Sequence, residues 1–174
     1  MQKAWRKQLI TASILLGGSL IVWKAFPRMA RTTSPRKLKN DLVNAFTKAG
    51  YSISSAEYWM IISMLETDFL RSNLYKTANN LWGMKKVKRR PTTQRGSTSS
   101  GFGTYPSTKA AIEDILLYQQ SFKYPKNFNS LRNLVGHMKR KGYFTEPAFG
   151  YYLKAKAAQA KLNEILSTPK GIIV

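Results

Sequence analysis

Glu66 is the residue whose type and setting could do chemistry. It follows Ile62 by four positions and Trp59 by seven, so on a helix it shares a face that is otherwise apolar. A carboxylic acid partly buried among aromatic and aliphatic groups keeps its proton to higher pH, because the charged form is poorly solvated there. Such a group can act near neutrality as a general acid, passing a proton to a leaving oxygen. Periodicity alone also allows the bland reading, a surface glutamate near a helix end. Asp68 stands two positions on, cannot share that face, and is expected to bond the backbone where the helix stops. Other chemistries are poorly supplied. The chain has no cysteine, which removes disulfides and thiolate metal sites, and one histidine, His137, which is expected to be structural. No metal site and no cofactor is expected.

The elements that must position Glu66 read as helices. Ser34-Pro35 suits an N-cap and first turn, and Leu38, Leu42, Ala45, Phe46 and Ala49 form a stripe that stops at Gly50. Ser54 and Glu57 have capping-box spacing and would open a second helix through Trp59, Ile62 and Met64 to about Asp68. Ser107 caps a third helix bearing Ala111, Ile115, Tyr118 and Phe122. A fourth carries Leu131, Leu134, Val135 and Met138 and ends at Gly142. A fifth runs from about Ala148 to Ile165 through Leu153, Ala157 and Ala160. Leu81–Lys85 and Gly101–Tyr105 are short strand candidates that could pair as a hairpin, with an exposed Thr/Ser/Gly-rich loop at 91–103 between them. The expected fold class is α+β, mainly helical, in one domain around one small β-hairpin.

Residues 9 to 23 contain no charge and are bracketed by Trp5 and Trp23, with Lys3, Arg6, Lys7, Lys24 and Arg28 just outside. This is the pattern of an apolar helix with aromatic and basic groups at both interfaces. The uncharged run, 8–23, is somewhat short for a full span, and flanking Lys and Arg stems could cover the shortfall. Residues 1–26 are therefore expected to be a membrane anchor or hydrophobic helix, 27–39 a basic linker, 40–166 the folded domain, and 167–174 a tail.

A formal charge of +21, from 29 basic and 8 acidic side chains, selects polyanionic partners: nucleic acid, anionic lipid or an acidic cell-wall polymer. Lys85, Lys86, Lys88, Arg89, Arg90 and Arg95 cluster in the hairpin region and read as one basic surface patch. With aromatics nearby, the patch could track a phosphate backbone. A solvated basic loop is the plain alternative.

Four blocks carry a resemblance: ISMLETDF at 62–69 at the end of the second helix, NNLWGMK at 79–85, GFGTYPSTKAAIEDILLY at 101–118 and KGYFTEPAFGYYLKAK at 141–156. In this order, across about 40–166, they resemble the peptidoglycan endo-β-N-acetylglucosaminidases (the flagellar-type and autolysin glucosaminidase domain) of the lysozyme-like superfamily. The resemblance implies a lysozyme-like domain that hydrolyses the β-1,4 backbone of peptidoglycan on the GlcNAc side. It implies two catalytic residues, Glu66 as general acid and Tyr143 near the scissile bond, and Asn79, Asn80, Trp82, Gly83 and Tyr105 as substrate-binding residues of the sugar cleft. One departure matters. Family members usually draw a second carboxylate from the hairpin, yet no Asp or Glu lies between Asp68 and Glu113. Water activated by other groups, attack by the substrate's own acetamido oxygen, and a non-catalytic protein binding glycan or nucleic acid all remain open. So does a lytic transglycosylase or muramidase. With the apolar N-terminus, the expected setting is membrane-anchored and facing the cell wall or periplasm, as an autolysin or a bacteriolytic phage lysin. Partners would be peptidoglycan strands and the membrane, with other virion or envelope proteins, and not nucleic acid.

Overall fold

The computed structural model describes residues 33–168. The apolar run at 8–23 and the tail beyond residue 168 lie outside the described residues. Among the described residues no helix is long and apolar enough to cross a membrane.

Serine capping starts most of the helices. Ser34, Ser52, Ser72, Ser107 and Ser130 each accept a bond from a backbone N–H three residues on. They open α1 (Pro35–Lys48), α2 (Ile53–Glu66), α3 (Asn73–Ala78), α4 (Thr108–Ser121) and α5 (Leu131–Arg140). Each cap satisfies a donor that helix geometry leaves open and contributes about 1 kcal/mol. α6 (Ala148–Ser167) follows Pro147 and has no side-chain cap. Helix α1 thus begins inside the stretch that composition assigns to the linker.

Helix α2 is the centre. Ser55, Ala56 and every residue from Trp59 to Met64 are buried, with α1 and α6 packed against it. A helix apolar on nearly every side must be covered on nearly every side, and that makes it a rigid rod for whatever stands at its end. The expected Ser54–Glu57 capping box does not form. Ser52 is the cap, and Glu57 reaches Lys39 on α1 at 2.8 Å.

The remaining stripes lie largely as expected, with one exception. On α6 the buried residues are Tyr151, Ala155, Ala158 and Leu162, while the expected Leu153, Ala157 and Ala160 are all exposed. This helix is rich in alanine and its apolar residues fit more than one face, so periodicity could not choose the phase. The short helix α3 was not anticipated; six residues are too few to show a period.

The hairpin also differs from expectation. Its strands are β1 (Gly96–Ser97) and β2 (Gly103–Thr104), antiparallel, with Gly96 opposite Thr104 and Ser97 opposite Gly103. The expected pairing of 81–85 with 101–105 shrinks to one bridge, Lys85 to Phe102. The reason is Asn80. Its buried amide donates to Met84 O and Gly103 O and accepts from Met84 N and, more weakly, Trp82 N, so 81–84 is curled around it.

Candidate active site

Local sequence puts Glu66 on the last turn of α2 and then removes the chain from above it. Thr67 folds back, donating Oγ1 to Ser63 O at 2.6 Å and accepting from Leu70 N. Asp68, Phe69 and Leu70 follow with φ of 45°, 53° and 66°. Left-handed backbone costs a non-glycine residue roughly 1–2 kcal/mol. Here it is held by Phe69 N to Met64 O and Ser72 N to Thr67 O, both 2.8 Å. Asp68 does not bond the backbone as expected; its carboxylate pairs with Arg71 on the surface.

Glu66 is half-buried and has no cation partner among the described residues. All eight acidic side chains lie among the described residues, and six of them sit within 4 Å of a Lys or Arg of those residues. The two that do not are Glu66 and Glu164, and Glu164 is exposed on the last helix. Instead, Glu66 Oε1 accepts from the Tyr151 hydroxyl at 2.6 Å. Burial pushes the Glu66 carboxyl above the usual carboxylate range. The Tyr151 bond opposes that, while the Glu146 charge adds to it and Lys154 subtracts. Tyr151 is itself buried, stacked on Phe144 with ring centres 4.0 Å apart and planes 2° from parallel.

With Oε1 engaged, a proton on Glu66 belongs on Oε2, which faces Gly83. A Cβ added at Gly83 would stand 3.2 Å from Oε2, and the backbone there has φ +60°. Glycine lets the chain pass close to the carboxyl without filling the space in front of it.

Glu66 opens onto a cleft of about 710 Å³, walled by Trp82, Gly83 and Met84 on one side and by Tyr143 and Phe144 on another, with Tyr118 and Phe122. Trp82 is buried, its indole N–H donating to Trp59 O at 3.1 Å. Tyr143 donates its hydroxyl to Trp82 O at 2.7 Å, and its ring packs against Trp59 and Tyr118. Burial and the nearby Glu66 charge push the Tyr143 phenol well up. It is therefore a neutral wall group, able to accept a bond from a sugar but not to act as a base near neutrality. Tyr118 and Tyr124 are core and wall residues, and His137 packs against Tyr124 and Phe128.

The structure brings Glu66, Trp82, Gly83 and Tyr143 together at the cleft. It gives Asn79, Asn80 and Tyr105 scaffold positions instead. Asn79 is the left-handed C-cap of α3 and donates to Tyr105 O. Asn80 spends its side-chain hydrogen bonds on the 80–84 turn and on Gly103 O of β2. The Tyr105 hydroxyl is buried on Asp114 Oδ2 at 2.9 Å. None of the three lines the cleft.

The basic patch divides in the same way. Lys85, Lys86, Lys88 and Arg89 line the cleft, and Arg95 is exposed but outside it. Arg90 is not a patch residue. Although its chain touches the cleft, its guanidinium makes two bonds to Asp114, at 3.1 and 2.8 Å, with the two side chains 10% and 1% exposed. Thr92 Oγ1, Thr93 N and the Tyr105 hydroxyl complete the shell of that carboxylate. Burial pushes Asp114 up, but Arg90, Thr92 and Tyr105 outweigh it and hold the carboxyl below its usual range. The 91–95 segment, the first part of the expected exposed loop, is pinned by this node through Thr92 and Thr93. Tyr151 is the functional neighbour that sequence reasoning passed over. It lies in the fourth block of the resemblance, which points to Tyr143 and not to Tyr151.

A mainly helical domain with a short hairpin beside a carboxylic acid at the end of a buried helix is the lysozyme-like architecture. The model of the Glucosaminidase family, described as mannosyl-glycoprotein endo-β-N-acetylglucosaminidase, matches residues 44–162, and the chain belongs to that family. No curated protein matches the sequence. Among solved structures, a chain of a type VI secretion system effector–immunity complex from Pseudomonas protegens superposes with a TM-score of 0.57 at 13% identity. The match covers 78% of this chain and 96% of that one. The catalytic domain of the autolysin Auto from Listeria monocytogenes gives a TM-score of 0.49 at 17% identity, over 74% of this chain and 82% of that one.

Proposed function

We propose that this protein is a peptidoglycan glycosidase that cleaves the β-1,4 backbone on the GlcNAc side, with Glu66 as general acid. The observation that carries the proposal is Glu66 itself: half-buried, without a cation among the described residues, held by Tyr151 on one oxygen and open to the cleft on the other. Family membership supports a β-N-acetylglucosaminyl linkage as the target. The basic cleft suits a polymer that carries carboxylates.

Among the cleft-lining residues Glu66 is the only acid. Two-carboxylate hydrolysis needs a second acid across the sugar as base or nucleophile. We therefore assign the second role to the substrate. Glu66 gives its proton to the glycosidic oxygen as the C1–O bond breaks, and the acetamido oxygen of the same sugar closes on C1. Water then opens the resulting oxazolinium ring, losing a proton to the Glu66 carboxylate, which restores the acid. Tyr143 and Trp82 wall the sugar and keep bulk water away from Glu66. The apolar run at 8–23 supports an anchor that holds the enzyme at a membrane facing the wall, in a bacterial envelope or on a phage.

Mass spectrometry of digested sacculi tests this reading. Fragments with reducing-end GlcNAc are expected, and prior removal of the N-acetyl groups should abolish cleavage. Reducing-end MurNAc would contradict the proposal. Anhydro-MurNAc would point to the second reading, a lytic transglycosylase, which the single cleft carboxylate also allows.

A further inference from the structure

The basic residues of 85–90 are held in place by the fold. Gln94 accepts from Val87 N at 2.9 Å and donates to Lys85 O at 3.0 Å, lying across the space that a Cβ at Gly103 would need. Arg90 is tied down on Asp114. Lys85 lies over the Phe102 ring at 3.5 Å and donates to Ser100 O. Between those fastenings Lys86, Lys88 and Arg89 are exposed on the cleft wall, and Lys141 joins them from the turn after α5. Among the described residues none of these four has a carboxylate partner.

Four cations gathered on one cleft repel one another, and a loop with no binding role would relax outward into solvent. Pinning it costs chain entropy, and the return for holding charges in place comes when an anion binds among them. We infer that the cleft carries an anion subsite of Lys86, Lys88, Arg89 and Lys141 that takes carboxylate substituents of the glycan strand. Strands with acidic side groups are then preferred substrates, and strands whose acids are capped as neutral amides are poor ones. This deepens the glycosidase reading, but the binding preference does not require that cleavage occur.

The test compares native sacculi with sacculi whose carboxyls are converted to N-methylamides, using the full chain at one salt concentration. Binding is measured with Glu66→Gln, and cleavage with the parent protein. Exposed ion pairs are each worth up to about fivefold, so several together should make amide-capped sacculi bind about tenfold more weakly and raise KM to match. Lys88→Gln with Arg89→Gln should lose most of that difference, by weakening binding to native sacculi. Equal binding to both preparations would overturn the inference, as would a double variant that keeps the full preference. Duplex DNA that displaced native sacculi at lower concentration than soluble wall fragments would assign the subsite to phosphate backbones and also overturn it. Preferential binding without fragments from the parent protein would leave the subsite standing and sink the glycosidase reading alone.

Discussion

Two carboxylates are withdrawn from water in this domain, and their surroundings push them in opposite directions. Asp114 meets a guanidinium, a threonine hydroxyl, a backbone N–H and a tyrosine hydroxyl, which together hold it ionised. Glu66 meets one tyrosine hydroxyl and an open cleft, and burial raises the pH at which it gives up its proton. Burial depth does not distinguish them, for Asp114 is the more buried of the two. The number of donors does. A carboxylate with its shell filled is an anchor, whereas one with a single donor and a free oxygen is a reagent.

The largest expected effect separates the two by chemistry. Glu66→Gln keeps shape and the bond from Tyr151 but has no proton to give. Turnover on sacculi should fall by about 10²–10⁴-fold, the usual worth of positioned acid catalysis. Stability should not fall. A raised folded-state pKa stabilises the protein below the ordinary carboxylate pKa, and that contribution is lost as pH climbs through the raised value. At pH 7 the variant should therefore melt at or above the parent temperature, and a lower Tm would show that Glu66 is structural. Asp114 has the opposite linkage. Its contribution is present above its unfolded pKa and is lost as pH falls through its depressed folded value.

Arg90→Ala should destabilise by about 3–5 kcal/mol, because it strands a buried carboxylate. Calorimetry should show a Tm drop of roughly 10 °C or more. A change within 2 °C would mean that the Asp114 node does not hold the loop. Next in size is Tyr151→Phe, which removes the lone donor to Glu66 and leaves the ring stacked on Phe144. Hydrogen bonds to ionised groups are worth about 1.5–3 kcal/mol, so kcat should fall roughly ten- to a hundredfold. Since that bond lowers the Glu66 pKa, the alkaline limb of the pH–rate profile should move up. Movement downward would contradict the assignment. Smallest are Asp68→Asn and Glu113→Gln. Both acids are in exposed pairs, with Arg71 and Lys109, worth at most about 1 kcal/mol. Dye release from sacculi by either variant should stay within a few-fold of the parent.

Most of the scaffold was legible in the sequence, and so was the placement of Glu66 at the end of a buried helix. Serine caps and apolar stripes specify helices locally, and Glu66 betrays itself as an acid in register with Trp59 and Ile62. What was hidden depends on partners distant in sequence. Tyr151 lies 85 positions from Glu66, on a helix whose alanines blur its phase. Arg90 looks like its basic neighbours until Asp114 is seen opposite. A signal existed there: Asp114 stands in register with Ala110, Ala111 and Tyr118, an acid on a buried face that needs a cation. Asn80 was misread because a motif names residues, and only the contacts distinguish one that meets a sugar from one that folds the loop behind it.

The contrast between the two carboxylates can be read in one experiment. A carbon-13 NMR titration of the side-chain carboxyls resolves Glu66 and Asp114 together, with the alkaline limb of the sacculus-cleavage profile recorded on the same sample. Glu66 should titrate above the ordinary glutamate value and coincide with the limb where cleavage declines, while Asp114 titrates below its own. Glu66 titrating at or below the ordinary value, or a limb that ignores its titration, would contradict the general-acid assignment.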